Sequence, residues 1–522
     1  MANPTGWKPS MEKGAGAAPR AARGGALGAT SGLLLEEPLV FEQGSPGRTA
    51  ASLPEPPPGL DPGAELPAQL LRGEIDGMPE MGELEVVRHF TRLSQWNWGI
   101  DSGFYPLGSC TMKYNPKSSE AFARLPGFAA AHPLLPASMS QGVLELMWRL
   151  ERALSEIGGF AATSMSPAAG AHGELTGLMM IRAWHVSRGN PRRKVLIPDT
   201  AHGTNPASAA LNGYSTVQLE SGPDGRLHPE TVAKAMDEDV AAIMITNPNT
   251  LGIFESHIRE IADVVHAKGG LVYGDGANFN AILGVARPGD MGFDVMQYNL
   301  HKTFATPHGG GGPGSGPVGV SEALVPFLPL PVVAKEGELF RLVTDPGERP
   351  RTIGKVREFW GNVGMFVRAW ALIRELGPEG LRRVGELAVL NANYVRSELK
   401  GHFNLPYETE TLHEVVFDDK LQKDVGVTTM DLAKRLIDHG AHPPTVYFPL
   451  VVHGAIMIEP TETESKETLD QFIAAMRAIA AQAKTDPEAL KAAPQKSIRA
   501  RLDETRAARR PVLRWTPGMK VE

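Results

Sequence analysis

The sequence holds a single cysteine, Cys110, so it can build no internal disulfide framework and no multi-cysteine zinc or iron-sulfur site. A reducing compartment, the cytoplasm, is the expectation. Lysine and arginine (52) are outnumbered by aspartate and glutamate (59), for a formal net charge of -7. That balance argues against a protein built on phosphate-backbone contacts, and so against nucleic acid as a partner. No run reaches the roughly 18 consecutive apolar residues that a membrane-spanning helix needs. The most apolar segment, Val446 to Ile458, is interrupted by Pro449, His453 and Gly454, and no membrane association is expected. No internal repeat is evident.

What is present is length and apolar content. At 522 residues and 42% hydrophobic, the chain can bury one large core and a smaller companion. Residues Gly14 to Gly32 are rich in Ala, Gly and Arg but carry no apolar periodicity, and Glu12 stands just before them. Residues 1–32 therefore read as a disordered extension rather than an organellar presequence. Up to about Pro79 the chain is dense in Pro and Gly, as in Pro54-Glu55-Pro56-Pro57-Pro58-Gly59, so 33–135 reads as an extended N-terminal arm. A first strong helix is expected from Ser140, whose hydroxyl can cap it, along the face Val143, Leu144, Met147, Leu150, Leu154 and Ile157 to Gly158-Gly159.

From about Ala161 to Val320 short apolar strands alternate with amphipathic helices, the pattern of an α/β domain with a mostly parallel sheet. Val195 to Ile197, Val240 to Thr246, Leu271 to Tyr273 and Val295 to Tyr298 read as strands, and Ile258 to Lys268 as a helix closed by Gly269-Gly270. This sets a large domain at 136–345. A helical segment, Phe359 to Leu376, then leads to further strand candidates at Val415 to Phe417 and Ala455 to Ile458, a smaller α+β domain at 346–485. A tail, 486–522, carries the basic stretch Lys496 to Arg510 and reads as a solvated helix.

In open parallel sheets ligands bind beyond the carboxyl ends of strands, and there the chain places an unusual set of groups. Gly274-Asp275-Gly276-Ala277-Asn278 follows one strand and Asn299-Leu300-His301-Lys302-Thr303-Phe304 another. Ala201-His202-Gly203-Thr204-Asn205 follows a third, and Ala169-Gly170-Ala171-His172-Gly173-Glu174, ahead of the helical run Leu175 to Trp184, reads as a helix N-terminus. A lysine at a buried strand end is costly unless it reacts or pairs. A buried carboxylate, a flat imidazole, a small residue and free helix-start amides complete what pyridoxal phosphate (PLP) requires. Lys302 would hold the aldehyde as a Schiff base and Asp275 the ring nitrogen. His202 and Ala277 would pack the two ring faces, and Gly170 and Ala171 would meet the phosphate. Thr204, Asn247 and Asn278 complete the candidate cofactor contacts, and His202 and His301 join Lys302 as candidate catalytic groups. No metal site is expected. Asp before Gly is commonly just a turn residue, and Ser109, Thr111 and Lys113 beside Cys110 admit both a substrate-channel role and a plain turn. The run Gly309 to Gly312 reads as an anion nest or as a hinge, and not as a nucleotide P-loop, because no Gly-Lys-Ser or Gly-Lys-Thr follows.

From about Leu39 to Trp515 these strings, in this order, resemble the glycine dehydrogenase (decarboxylating) family, the P-protein of the glycine cleavage system, and more closely its split form, subunit 2. The match runs through Phe104-Tyr105-Pro106-Leu107-Gly108-Ser109-Cys110-Thr111-Met112-Lys113-Tyr114-Asn115, the His202 and Asp275 segments, Asn247-Pro248-Asn249-Thr250, and Leu300 to Gly314. The resemblance implies the type I, aminotransferase-like PLP fold with a seven-stranded type of sheet, and PLP on Lys302. It implies glycine as substrate, loss of its carboxyl as carbon dioxide, and transfer of the aminomethyl group to the lipoyl arm of the H-protein. It also implies a heterotetramer, two copies each of this subunit and subunit 1. The chain departs from the family pattern at Ser166, where glutamine is expected before Pro167, and at Gln297-Tyr298, where His-Leu is commoner. Two alternatives stay open: another PLP-dependent lyase or decarboxylase, and a non-catalytic subunit that binds PLP as a scaffold.

Overall fold

The computed structural model describes residues 37–55, 57–61, 63, 66–73, 77–309 and 314–516. The extension 1–32 and Gly310 to Gly312 of the glycine run lie outside them. The chain forms two compact units: Met1–Gly99 with Ala492–Glu522, and Ile100–Lys491.

In the first unit the N-terminal arm and the C-terminal tail pack on each other, Phe41 stacking on Trp515 at 5.2 Å. The arm, expected to be extended, contains a helix, Glu83–Trp96. Its first turn is closed by Glu85, which accepts from the Gly82 amide at 2.8 Å. Its His89 is buried against Glu37, 2.9 Å away, while Arg92 grips the same carboxylate at 2.6 Å. Val86, Val87, Phe90 and Leu93 recur at helical spacing, a signal that the Pro- and Gly-dense chain before it masks. Within the basic stretch Lys496 to Arg510 the helix covers Glu504–Arg509.

The second unit is built on a seven-stranded sheet in the order β1-β7-β6-β5-β4-β2-β3. The strands are β1 (Ala162–Ser164), β2 (Lys194–Pro198), β3 (Ser215–Leu219), β4 (Val240–Thr246), β5 (Leu271–Gly276), β6 (Val295–Tyr298) and β7 (Val318–Val320). Strands β3, β2, β4, β5 and β6 pair in parallel, and β7 runs antiparallel between β6 and β1. Side chains alternate across a strand, and both faces are apolar. Leu196, Ile243, Ile245 and Val272 pack toward the helices Gln141–Gly158 and Ile258–Ala267. Val195, Ile197, Met244 and Tyr273 pack toward the helix Gly170–Ser187 on the other face. A sheet covered on both sides in this way leaves only its strand ends for chemistry.

Three local expectations are corrected. Ser140 precedes the Gln141–Gly158 helix, but its hydroxyl makes no cap bond. Strand β5 continues through Gly274, Asp275 and Gly276, so Asp275 lies within the strand rather than after it. Gly276 makes this possible, because a side chain there would collide with the Gln297 carbonyl of β6. The helix after the Pro- and Gly-rich passage runs over Val363–Leu399, with a break at Gly377 (φ 61°). Its first part packs into the large core, and Val395 and Leu399 into a second cluster around the C-terminal sheet.

That sheet is antiparallel, with β10 (Val415–Asp418) and β11 (Thr445–Val446) flanking β12 (Ala455–Ile458). A hairpin, β8 (Val332–Glu336) with β9 (Leu339–Val343), precedes it. The segment around Cys110 runs alongside β12, with Leu107 bridging Ile458 and the Gly108 amide donating to the Met457 carbonyl at 3.3 Å. No helix among the described residues is long and apolar enough to cross a membrane.

Candidate active site

Strands β4, β5 and β6 deliver their carboxyl ends to one place. Asp275 is buried near the end of β5, and three hydrogen bonds fix its carboxylate while Oδ2 keeps a site for a further donor. Oδ2 accepts from Asn205 Nδ2 at 3.1 Å, and Oδ1 accepts from the Ala277 amide at 3.0 Å and from Gln297 Nε2. Gln297, in β6, is oriented in turn by the Tyr273 hydroxyl, which donates to its Oε1. A second carboxylate, Glu174, lies behind the first and accepts from Thr204 Oγ1 at 2.8 Å, Asn205 Nδ2 at 3.0 Å and Ser208 Oγ at 3.3 Å. Burial, and after it the like charge of Asp275, pushes Glu174 up to about 7.

Lys302 sits in the short helix Leu300–Thr303 directly after β6, half-buried, and Nζ donates to the Ser109 carbonyl at 2.9 Å. The sheet thus brings Asp275 and Lys302 to the ends of neighbouring strands. His202 stands before the helix Thr204–Leu211, with Nδ1 3.0 Å from Thr204 Oγ1 and its ring edge-on to Phe448. Burial lowers the His202 pKa, with the Asp275 charge opposing that shift and the Lys302 charge reinforcing it. His301 is held neutral, pushed down to about 3 by burial and then by Lys302 and His308, whose ring centroid is 5.0 Å away.

The start of the Gly170–Ser187 helix lies against the segment that follows β6, since a side chain at Gly170 would collide with Asn299 Oδ1. Around it, Ser166 Oγ, Asn299 Nδ2, His301 Nδ1 and Ser315 Oγ are buried without a hydrogen-bond partner among the described residues. Native interiors leave few such atoms unsatisfied. A cluster of orphaned polar atoms beside the free amides of Gly170 and Ala171 is what a bound phosphate would satisfy.

The other sequence candidates fall as follows. Ala277 is half-buried beside Asp275. Asn278 Nδ2 donates to the Pro248 carbonyl at 3.0 Å and to Glu414 Oε1 at 3.3 Å. Asn247 turns its side chain onto the Glu255 backbone, accepting at 3.0 Å and donating at 3.4 Å, which leaves little for a ligand. Lys113 is a buried tether, donating to Thr303 O (2.9 Å), Asn280 Oδ1 (2.8 Å) and Glu462 Oε1 (2.7 Å). Glu174, Asn205 and Gln297, and Glu414 and Glu459 near Lys302, are site residues that the sequence alone does not point to. The last two carried a faint signal, each a Glu flanking a strand candidate.

The chain is similar to known proteins in both sequence and fold. Residues 384–499 match the family described as "Glycine dehydrogenase, C-terminal domain". The chain is 55% identical over 482 residues to a protein of Halalkalibacterium halodurans named "Probable glycine dehydrogenase (decarboxylating) subunit 2", covering 92% of this chain and 98% of that one. It is 55% identical over 477 residues to the protein of the same name from Chlorobium chlorochromatii, covering 91% and 98%. Among solved structures it is similar to a glycine decarboxylase (P-protein) of the glycine cleavage system in inhibitor-bound form, with a TM-score of 0.67 at 22% identity over 80% of this chain and 94% of that one. It is also similar to a cysteine desulfurase from Thermococcus onnurineus, with a TM-score of 0.57 at 16% identity over 73% and 95%. The structural likenesses show the fold, that of the type I PLP-dependent enzymes. The sequence identity, high over nearly the full length of both partners, goes further: this chain belongs to the glycine dehydrogenase (decarboxylating) subunit 2 family.

Proposed function

We propose that the chain is the PLP-bearing subunit of a split glycine decarboxylase. It takes the carboxyl carbon of glycine off as carbon dioxide and passes the aminomethyl group to the lipoyl arm of an H-protein. The observation that carries this reading is the pairing of one amine, Lys302, with one dry carboxylate, Asp275, at the ends of adjacent strands. PLP, when bound, supplies the electron sink that accepts the pair of electrons left behind by the departing carboxyl.

The protein's own groups do the rest. Lys302 offers the amine that anchors the cofactor, and the Ser109 carbonyl holds that amine when it is free. Asp275, fixed by Asn205, Gln297 and the Ala277 amide, holds a proton on the ring nitrogen. His202, neutral and flat, covers one ring face and Ala277 the other. Gly170 and Ala171, with the orphaned donors near them, bind phosphate, and Thr204 and Asn278 brace His202 and the end of β5. Asn247 belongs to the loop that Asn278 contacts rather than to the ring itself. His301, kept neutral by burial, can hold or pass a proton beside Lys302.

The "subunit 2" of the relatives' name implies a partner chain, and we place this one in a heterotetramer with subunit 1, two copies of each, in the cytoplasm. Residues 136–345 serve as the cofactor domain and 346–485 as the smaller domain, with 33–135 as an arm and 486–522 as a tail. The test is exchange of labelled bicarbonate into the glycine carboxyl with subunit 1 and lipoylated H-protein present. Exchange that requires all three proteins is expected. A cofactor-loaded protein that shows none belongs to another decarboxylase or lyase.

A further inference from the structure

Behind the Lys302 amine lies a group of ionisable side chains that the reading above does not use. Glu414 immediately precedes β10 and Glu459 immediately follows β12, and the antiparallel pairing of Val415 with Ile458 sets them side by side. Both are 0% exposed. Each accepts from an amide of the same loop, Glu414 Oε2 from Ser109 N at 3.0 Å and Glu459 Oε2 from Thr111 N at 2.9 Å. Those two residues have φ of 64° and 49°, a left-handed conformation that is costly without glycine and most costly for a β-branched threonine. The Ser109 carbonyl then receives Lys302 Nζ. His413, also 0% exposed, places Nε2 3.9 Å from Glu414 Oε1 and 3.9 Å from Glu459 Oε1. Neither His413 nitrogen, nor Glu459 Oε1, has a hydrogen-bond partner among the described residues.

Two carboxylates this close and this dry cannot both ionise cheaply. Burial, and then the charge of Glu459, pushes Glu414 well above the usual carboxylate range, and burial pushes Glu459 up to about 7. Lys302 draws both back down, and Lys113 draws Glu459. Burial holds His413 neutral, down to about 3. The other groups facing Lys302 are Cys110, His202, His301 and His308, each biased toward its neutral form by burial, and Asp275 lies across His202. His413, Glu414 and Glu459 could geometrically ligate a metal, with ligand atoms within 4.8 Å of one another. The ammonium beside them already supplies the positive charge, however, and three of the four carboxylate oxygens accept hydrogen bonds.

We propose that Glu414 and Glu459 are positioning residues that act as one shared counter-charge for Lys302, holding a single proton between them and shaping, through the Ser109 and Thr111 amides, the carbonyl that receives its amine. The proposal rests on Lys302 being the reactive amine. Loss of either acid is then answered by ionisation of the other, whereas loss of both leaves the ammonium without its partner.

The test is the pH dependence of the rate at which pyridoxal phosphate condenses with the apo protein, followed by absorbance. Removing the last negative charge beside an ammonium favours the neutral, reactive amine, so the profile moves to lower pH. Glu414→Gln and Glu459→Gln should each stay within about 0.5 pH unit of the parent, and the double variant should move by about one unit or more, roughly tenfold in amine fraction. A double variant that overlays the parent overturns the proposal, as does one whose shift is the sum of two equal single shifts. Infrared difference spectra of the two single variants give a second reading that does not need the double variant to fold. Both should lack the same protonated-carboxyl band that the parent shows, and a band retained in both overturns the shared proton. If Lys302→Ala condenses as fast as the parent, the assignment of Lys302 itself fails; if it is inert while the double variant tracks the parent, only the shared-charge proposal fails.

Discussion

Lys302→Ala is expected to lower glycine-dependent turnover by about 10⁴-fold or more and to remove the covalent attachment of PLP. No nearby group substitutes for it. The other buried amine of the site, Lys113, is committed to Thr303, Asn280 and Glu462 and is 0% exposed at its side chain. Because Lys302 is half-buried and makes one side-chain hydrogen bond, to Ser109, the variant should fold. Absorbance of the reconstituted protein and turnover with H-protein check the two parts separately. Attachment that persists in the variant places the reactive amine elsewhere.

Asp275→Asn is expected to reduce turnover by about 10² to 10³-fold while cofactor binding weakens far less. An amide fits the same space but carries no charge to hold a proton on a ring nitrogen. It also turns an NH₂ group toward Asn205 Nδ2 or Gln297 Nε2, which are donors themselves. A further consequence follows at Glu174, which burial and the charge of Asp275 push up to about 7. With that like charge gone, Glu174 should titrate lower, moving the acidic limb of any residual activity to lower pH. Steady-state turnover against pH for parent and variant measures both effects, and normal turnover in the variant would remove Asp275 from the site.

Much of this site could be read from the chain because its residues leave strands that are themselves readable. Strands β4 and β6 follow apolar runs bounded by polar residues, and the structure has them over the same residues, Val240–Thr246 and Val295–Tyr298. Strand β5 was legible only to Tyr273, since Gly274-Asp275-Gly276 looks like a turn. What makes it strand is the close approach of Gly276 to Gln297, a tertiary fact. The support around Asp275 was hidden for the same reason: Glu174, Asn205 and Gln297 come from three separate elements and meet only when the sheet forms. Glu414 and Glu459 are further from view. The register of β10 on β12 brings them together, and the loop they grip lies near the opposite end of the chain, at Ser109 and Thr111. The helix Glu83–Trp96 carries Val86, Val87, Phe90 and Leu93 at helical spacing, but it follows the Pro- and Gly-dense arm and its buried residue is His89, whereas Gln141–Gly158 buries an unbroken stripe from Val143 to Leu154.

Reduction of the PLP-loaded protein with borohydride, followed by peptide mass spectrometry, asks most directly where the cofactor is held. The pyridoxyl mass should appear on Lys302 alone, within the peptide that contains His301 and Thr303. A pyridoxyl group on Lys113 or any other lysine, or none on a protein that has bound PLP, would contradict the account at its centre.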